Sequence, residues 1–428
     1  MYTLLVKNRF IINGGKKLKG SIEVKGAKND ALVIFAASLL TSRPVTVSNV
    51  PEIEDTKILL ELLEKLGCKV KRLKYGEYKI ISASIKTHLI DPDAAKKIRA
   101  SILLTAPLLV RLGKVKFPHP GGCVIGERPI DQFLEGYKSM GAKARVKGKL
   151  HEIVVPGRNG RTKLKGAEFI FNNITVTGTE SLIMAAVTAK GKTVLKNCAC
   201  EPEVKSLADF LNRCGAKIIG AGTPHIIIYG INKLKGGFHR IIPDRVEAGS
   251  FIIMAAATNS KLTVKNCEPE HLDALLSVMK KTGVKFKKQK NSIEVKSANL
   301  KSVDIKTHEY PGFPTDLQAP FCVLLTQSKG SGLLHETIYE GRLLWTEELK
   351  RMGAEIHTYD PHRIEIKGPT KLRGREIESP DIRAGMAYII AGLCAKGKSI
   401  INNIYQIDRG YEKIEERLRK IGADIRRI

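Results

Sequence analysis

The sequence predicts an α/β protein of two domains, each made of three copies of one repeated unit, on three observations. A segment reading helix, glycine, strand occurs six times: "LEKLGCKV" (63–70), "KSMGAKA" (138–144), "LNRCGAKI" (211–218), "MKKTGVKF" (279–286), "LKRMGAEI" (349–356) and "LRKIGADI" (418–425). Its glycines, at 67, 141, 215, 283, 353 and 422, follow one another at intervals of 74, 74, 68, 70 and 69, so the copies fill the 428-residue chain. A chain this long exceeds one ordinary core of roughly 150 residues, and units of about 70 residues are too large for a solenoid with its usual period of about 20 to 50. Grouped three and three, they make two domains.

Each unit opens with a helix that is apolar nearly all round and therefore belongs in an interior. A small basic turn, a β-branched strand and an asparagine follow, most plainly in "ASLLTSRPVTVSN" (37–49), "AAVTAKGKTVLKN" (185–197), "AAATNSKLTVKN" (255–266) and "AGLCAKGKSIINN" (391–403). The second and fifth units, "LLVRLGKVKF" and "LLTQSKGSGLL", keep the pattern less well. A second helix is one-sided, with apolar residues recurring at helical spacing, at i, i+3, i+6 and i+7 in Val204, Leu207, Phe210 and Leu211 and at i, i+3, i+4 and i+7 in Leu272, Leu275, Leu276 and Met279. Glycine then accepts the left-handed conformation that ends this helix, and the next residues start a strand. The unit reads β-α-β-α-β with an extra strand. The crossover falls near Pro243-Asp244, and the opening residues return to the later domain as an added strand. The expected domains are 28–243, with units one to three and the Cys123 loop, and 1–27 plus 244–428, with units four to six.

The composition, 43% hydrophobic and 27% charged, is that of a globular protein, and no run of about 18 apolar residues could cross a bilayer. The N-terminus has basic residues at 7 and 9 and no cleavage pattern, so no signal peptide is expected and the location is cytoplasmic. Eight cysteines show no paired spacing and read as reduced. Cys68, Cys214 and Cys394 sit in apolar runs as small hydrophobes, and Cys198-x-Cys200 lacks a third ligand, so neither metal nor cofactor is expected. A net charge of +29 is compatible with nucleic acid, acidic lipid or anionic small substrates, and equally with heat adaptation. The lysines are scattered, however, and aromatics make up only 6%, so polynucleotide binding stays as the second reading.

The residues that open the six apolar helices are Lys28-Asn29, Arg99, Thr179-Glu180, Asp244-Arg245, Thr315-Asp316 and Asp381-Arg383. Four of these starts carry a cation where the helix dipole disfavours one by roughly 0.3 to 1 kcal/mol. A local rule broken at equivalent positions points to function; if these ends converge, they form an anion-binding cleft. Asp316 and Asp381 could be ordinary caps of their helices. The alternative for Asp316 is a general base, kept ionised by neighbouring arginines and ready to accept a proton from a hydroxyl. In "FPHPGGCVIGERPID" (117–131), Cys123 lies between Gly121-Gly122 and Gly126 with prolines at 118, 120 and 129, a loop with stiff ends rather than a core position. His119 and Arg128 beside it favour the reactive thiolate.

The segments "GSIEVKGAKNDAL", "KKIRASI", "PHPGGCVIGERPID", "PDRVEAGSF", "PGFPTDLQAPF", "DIRAGMA" and "IDRGYE", in this order, closely resemble the UDP-N-acetylglucosamine enolpyruvyl transferase family, from about residue 12 to the C-terminus. The resemblance implies a two-domain inside-out α/β barrel of six units. It also implies transfer of the enolpyruvyl group of phosphoenolpyruvate to the sugar 3′-hydroxyl, with release of phosphate, as the first committed step of peptidoglycan synthesis. Carried over position by position, it assigns catalysis to Cys123, Asp316 and Lys28, and phosphoenolpyruvate to Lys28, Asn29, Arg128, Arg383 and Arg409, the arginines suiting a carboxylate. It assigns UDP-N-acetylglucosamine to Arg99, Arg128, Pro129, Ile130, Asp131, Gln132, Asp316 and Ile338. Cys123 corresponds to the loop thiol that donates a proton to the methylene carbon and is alkylated by fosfomycin. Asn173 stands where some relatives have a nucleotide-contacting lysine. The "PGGC" and "KGAKN" segments belong to the sugar-nucleotide branch rather than to the shikimate-phosphate branch of the same fold. No nucleic acid or membrane partner is implied.

Overall fold

All six signature glycines have a left-handed backbone, with φ between 88° and 103°. In the first, Gly67 N–H bonds to the Glu64 carbonyl at 2.8 Å and Cys68 N–H to that of Leu63 at 3.0 Å, and the same pair of bonds closes the other five helices. These are Schellman ends, in which two carbonyls left over by the helix find donors just past the glycine. The helices so ended are Glu54–Lys65, Asp131–Ser139, Pro202–Arg213, Asp273–Lys281, Thr346–Arg351 and Ile414–Lys420, and each leads straight into a strand. The structure, a computed structural model, describes residues 8–121, 129–157, 163–296 and 299–428.

Among the described residues there are six sheets, five of four strands and one of three. The sheet of the fourth repeat is representative. Lys19–Glu23 runs parallel to Lys261–Lys265, which pairs antiparallel with Ser292–Lys296, which pairs antiparallel with Lys285–Gln289. In the last sheet the place of the third strand is taken by Phe10–Asn13, between Lys398–Asn402 and Asp424–Arg427. The N-terminal segment thus supplies strands to two sheets, since Lys19–Glu23 serves in the other.

The asparagine that follows the first strand of a repeat has a structural use. Asn49, Asn197, Asn266 and Asn403 all have positive φ, between 54° and 58°. Each donates its side-chain amide to the carbonyl just past the parallel edge strand: Ile241 at 2.8 Å, Phe171 at 2.8 Å, Val24 at 2.6 Å and Ser379 at 2.9 Å. Asparagine combines tolerance of the left-handed conformation with a short amide arm. At Phe171 and Ser379 the clamped carbonyl lies a few residues before the start of a buried helix of the same unit, so there the amide fixes how that helix enters.

Those buried helices are Lys28–Ala37, Thr105–Leu112, Val176–Ala186, Arg245–Ala257, Gln318–Thr326 and Ile382–Cys394, apolar on nearly every side. Three starts differ from the sequence expectation, one of them Thr315-Asp316, which lies in the 3-10 turn Thr315–Leu317 before the helix that begins at Gln318. The third helix begins at Val176, not at Thr179-Glu180, because the Thr175 hydroxyl caps it by accepting from Gly178 N–H at 3.2 Å. Arg99 opens a 3-10 segment, Arg99–Leu104, that precedes the α-helix.

The chain divides into two compact units, each with its own hydrophobic core. The first holds the described residues between Gly26 and Ile242; the second holds those up to Lys25 together with Pro243–Ile428. Gly26 and Ala27 therefore go with the first unit and Pro243 with the second, opposite to the limits read from the sequence. Backbone bonds explain the cut: Ala27 N–H bonds to the Ile242 carbonyl at 2.7 Å within one unit, and Asp244 N–H to that of Lys25 at 2.9 Å within the other. In the first unit Lys28–Ala37 packs on Glu54–Lys65 and Pro202–Arg213; in the second Gln318–Thr326 packs on both Arg245–Ala257 and Ile382–Cys394. No helix among the described residues is long and apolar enough to cross a membrane.

Candidate active site

In the first unit, Lys28 is the first residue of its helix, and Ala27 before it offers no side-chain cap. A cation at this end is disfavoured by the helix dipole, and the structure supplies a counter-charge: Lys28 Nζ lies 3.2 Å from Asp55 Oδ2, with the two side chains 14% and 4% exposed. Asp55 stands at the head of Glu54–Lys65. The buried Asp30 accepts from Ile242 N–H at 2.9 Å and lies 3.3 Å from His239 Nε2, which ties the start of the Lys28 helix to the chain leaving the unit. Asn29 is exposed beside it.

Arg99 Nη1 reaches the Pro120 carbonyl at 3.4 Å, at the near end of the Cys123 loop. Pro129 and Asp131 are exposed, while Ile130 is buried at the cap position of Asp131–Ser139. Gln132 Oε1 accepts from Asn173 N–H at 3.1 Å, so the 129–132 run and the 173–176 segment meet through Gln132. Cys123 and Arg128 lie outside the described residues.

A buried carboxyl, Glu180, lies one turn inside the Val176–Ala186 helix. Burial pushes its acid well above the ordinary carboxylate range, and the charges of Glu203, Glu201 and Asp30 push the same way.

In the second unit the structure brings Asp316 and Arg383 together. Asp316 lies in the 3-10 turn Thr315–Leu317 that leads into Gln318–Thr326. Its Oδ2 accepts from Arg383 Nε at 3.0 Å and Nη2 at 2.8 Å, and its Oδ1 from Arg342 Nη2 at 2.7 Å. The guanidiniums are nearly covered, 9% and 4% exposed, whereas the Asp316 side chain is 29% exposed. The acid can be reached while its two cations are held from behind. Burial alone would push both guanidiniums down, but Asp316, together with Glu336 and Tyr339 around Arg342 and with Tyr411 and Asp244 around Arg383, outweighs it, and both end up raised, firmly charged. Arg383 also donates to the Tyr411 hydroxyl at 3.3 Å, and that hydroxyl lies 3.3 Å from Ser250 Oγ.

Asp381 is the cap of its helix, accepting from Arg383 N–H at 2.7 Å and Ala384 N–H at 3.0 Å. Asp244 does the same for Arg245–Ala257. The simpler of the two readings therefore describes Asp381, and it does not describe Asp316, whose carboxylate is taken up by arginines. Arg409 is buried at the end of Tyr405–Asp408 and donates to Gln406 Oε1 at 3.0 Å. Ile338 is half-buried in the turn after the strand Gly330–His335.

Sequence reasoning missed Arg342 and Asp55. Arg342 sits in "YEGRLL", with no periodicity to mark it, and Asp55 looks like any first-turn acid of an amphipathic helix. No cluster of three or more His, Cys, Asp or Glu suited to a metal occurs among the described residues.

Residues 12–418 match the family model of EPSP synthase (3-phosphoshikimate 1-carboxyvinyltransferase). The chain is 44% identical over 426 residues to the UDP-N-acetylglucosamine 1-carboxyvinyltransferase of Koribacter versatilis, covering 98% of this chain and 96% of that one. It is 43% identical to the protein of the same name from Endomicrobium trichonymphae, covering 98% and 99%. Among solved structures, the enolpyruvyl transferase NikO from Streptomyces tendae shares the fold with a TM-score of 0.88 at 20% identity, over 99% of each chain. EPSP synthase from Acinetobacter baumannii does so with a TM-score of 0.74 at 19% identity, over 99% of this chain and 100% of that one. The chain belongs to the enolpyruvyl transferase family typified by EPSP synthase, and along nearly its whole length it is a relative of the UDP-N-acetylglucosamine 1-carboxyvinyltransferases.

Proposed function

We propose that this protein transfers the enolpyruvyl group of phosphoenolpyruvate to the 3′-hydroxyl of UDP-N-acetylglucosamine and releases phosphate, in the cytoplasm, as the first committed step of peptidoglycan synthesis. Asp316 carries the reading: a solvent-reachable carboxylate gripped by two buried guanidiniums, in a chain 44% identical to an enzyme of that name. In this scheme Asp316 accepts the proton of the 3′-hydroxyl as the hydroxyl oxygen bonds to C2 of phosphoenolpyruvate, an enol phosphate. Cys123 delivers a proton to the methylene carbon, and elimination then breaks the carbon–oxygen bond to phosphate while a proton leaves the new methyl group, which restores the carbon–carbon double bond. Lys28, with Asn29 and Arg128, takes the phosphoenolpyruvate; Arg383 and Arg409 take its carboxylate as paired donors. Arg99, Arg128, Pro129, Ile130, Asp131, Gln132 and Ile338 take the sugar nucleotide. The finer architecture, an inside-out α/β barrel of six units with three per domain, belongs to the same reading and is supported by the six equivalent helix ends and the shared strand order.

Phosphate release from phosphoenolpyruvate by the purified protein tests it, with UDP-N-acetylglucosamine and shikimate 3-phosphate offered separately. Release is expected with the sugar nucleotide. Release only with shikimate 3-phosphate would move the chain to the sister reaction. Asp316→Asn should lower kcat by about 100-fold or more while changing sugar-nucleotide affinity by less than about tenfold, as expected of a lost proton acceptor. Cys123→Ser should abolish inactivation by fosfomycin, and loss of Cys198 or Cys267 should not. Burial pushes those two thiols up, to about 12 and about 11, which leaves them unreactive.

A further inference from the structure

In the fifth repeat the clamping asparagine is missing. The strand Gly330–His335 pairs with Ile305–Lys306 in the register used by the equivalent strands, which puts Glu336 opposite Thr307 where four of the other repeats have an asparagine, as with Asn403 opposite Ser379 or Asn266 opposite Val24. The clamp is kept by the next residue, since Thr337 Oγ1 donates to the Thr307 carbonyl at 2.7 Å. The Glu336 carboxylate is thereby released for another use, and it is fully buried.

Its four contacts point the same way. Oε1 accepts from Ile338 N–H at 2.8 Å, from Tyr339 N–H at 3.3 Å and from the Thr307 hydroxyl at 3.1 Å. Oε2 accepts from the Thr315 hydroxyl at 2.8 Å. Thr315 Oγ1 accepts in turn from Arg342 Nη1 at 3.0 Å, and the same guanidinium holds Asp316 Oδ1 at 2.7 Å. One buried carboxylate thus fixes the turn that carries Ile338 and, through Thr315, the arginine that orients Asp316.

We propose that Glu336 is a positioning residue for the acceptor side of the reaction, holding Ile338 and the Arg342–Asp316 pair in one geometry. This rests on the reading of Asp316 and Ile338 given above. Oε1 faces two backbone N–H groups, and Oε2 takes the proton of the Thr315 hydroxyl. A glutamine amide in place of one oxygen would either face those two N–H groups as a donor or leave the Thr315 hydroxyl proton without its acceptor. Burying such a mismatch is unfavourable, and the turn should shift.

The test compares Glu336→Gln, Thr315→Val, Thr315→Ser and the Glu336→Gln/Thr315→Val double variant with the unmodified protein. Val295→Ala, a core truncation in the strand Ser292–Lys296, serves as a stability control. Glu336→Gln should lower kcat/KM for UDP-N-acetylglucosamine by about 10- to 100-fold, the loss expected from a misplacement of around 1 Å. Thr315→Val should fall alongside it, Thr315→Ser should stay within about threefold of the unmodified protein, and the double variant should fall no further than the worse single one. Val295→Ala should lose stability and keep its kinetics. In Glu336→Gln the Ile338 and Tyr339 amides should exchange hydrogen more than about tenfold faster. If Glu336→Gln loses stability as Val295→Ala does and keeps kcat/KM within twofold, Glu336 is structural only and the proposal falls. If the unmodified protein releases phosphate with neither acceptor, the reaction reading fails, and the exchange rates decide this proposal: unchanged Ile338 and Tyr339 amides overturn it.

Discussion

Glu180 has its carboxyl buried in the first unit, 3% exposed, with Oε1 lacking a hydrogen-bond partner. Its acid is raised well above the ordinary value of 4.5, so the folded state keeps a proton that the unfolded chain gives up. The sign follows. The fold bears no cost from this group below about pH 4.5 and loses stability as pH rises from there towards the raised value, at most about 1.4 kcal/mol per pH unit. Glu180→Gln is neutral throughout, so its advantage in urea unfolding should be small at pH 5 and widen by pH 8; a constant difference across that range would mean that Glu180 is ionised in the folded protein as it is in the unfolded chain. At this scale the sequence was legible where chemistry is carried by a residue's own neighbours, as with the cations that open helices. It was illegible where a partner comes from far along the chain. Arg342 reaches Asp316 across 26 positions and Asp55 reaches Lys28 across 27, and neither spacing has a period to betray it.

The repeated asparagine shows the same division at the scale of elements. Its recurrence after a β-branched strand was plain in the sequence, but its job was not, because Asn266 clamps a carbonyl 242 positions away and Asn403 one 24 positions away. The glycine-ended helices were fully legible, since a Schellman end is a local device whose bonds span five residues. Start positions were less so: Thr175 caps the third buried helix, which places its start at Val176 rather than at Thr179-Glu180. The clamp makes a quantitative prediction. Asn266→Ala loses a hydrogen bond worth about 1 kcal/mol and puts at φ 54° a residue without asparagine's tolerance of the left-handed region, which costs roughly another 1 kcal/mol. Asn266→Gly loses the bond but keeps the backbone at ease. Urea unfolding should therefore rank the three as asparagine, then glycine, then alanine, with the alanine variant about 2 kcal/mol below the parent; equal losses would place all the effect in the hydrogen bond.

For the whole molecule the open quantity is charge. Surface ion pairs such as Lys57 with Glu54, Lys205 with Asp209 and Lys288 with Asp273 contribute little each and leave the net charge untouched. A charge of +29 spread over 428 residues acts at a distance on phosphoenolpyruvate and UDP-N-acetylglucosamine, both anions, in addition to the groups that touch them. Salt separates the two contributions. The screening length shrinks from about 30 Å at 0.01 M to about 8 Å at 0.15 M, so long-range attraction fades while contacts such as Lys28 with Asp55, largely shielded from water, are screened much less. If the excess charge gathers substrate, kcat/KM for both substrates should fall by about tenfold over that range with kcat changing less than twofold, because only encounter is affected. A flat kcat/KM would mean that the excess surface charge gathers no substrate. Polynucleotide, added at low salt, should then compete with substrate only weakly; sequence-independent binding tight enough to abolish activity, with a steep logarithmic dependence on salt, would instead make nucleic acid the partner that the charge serves.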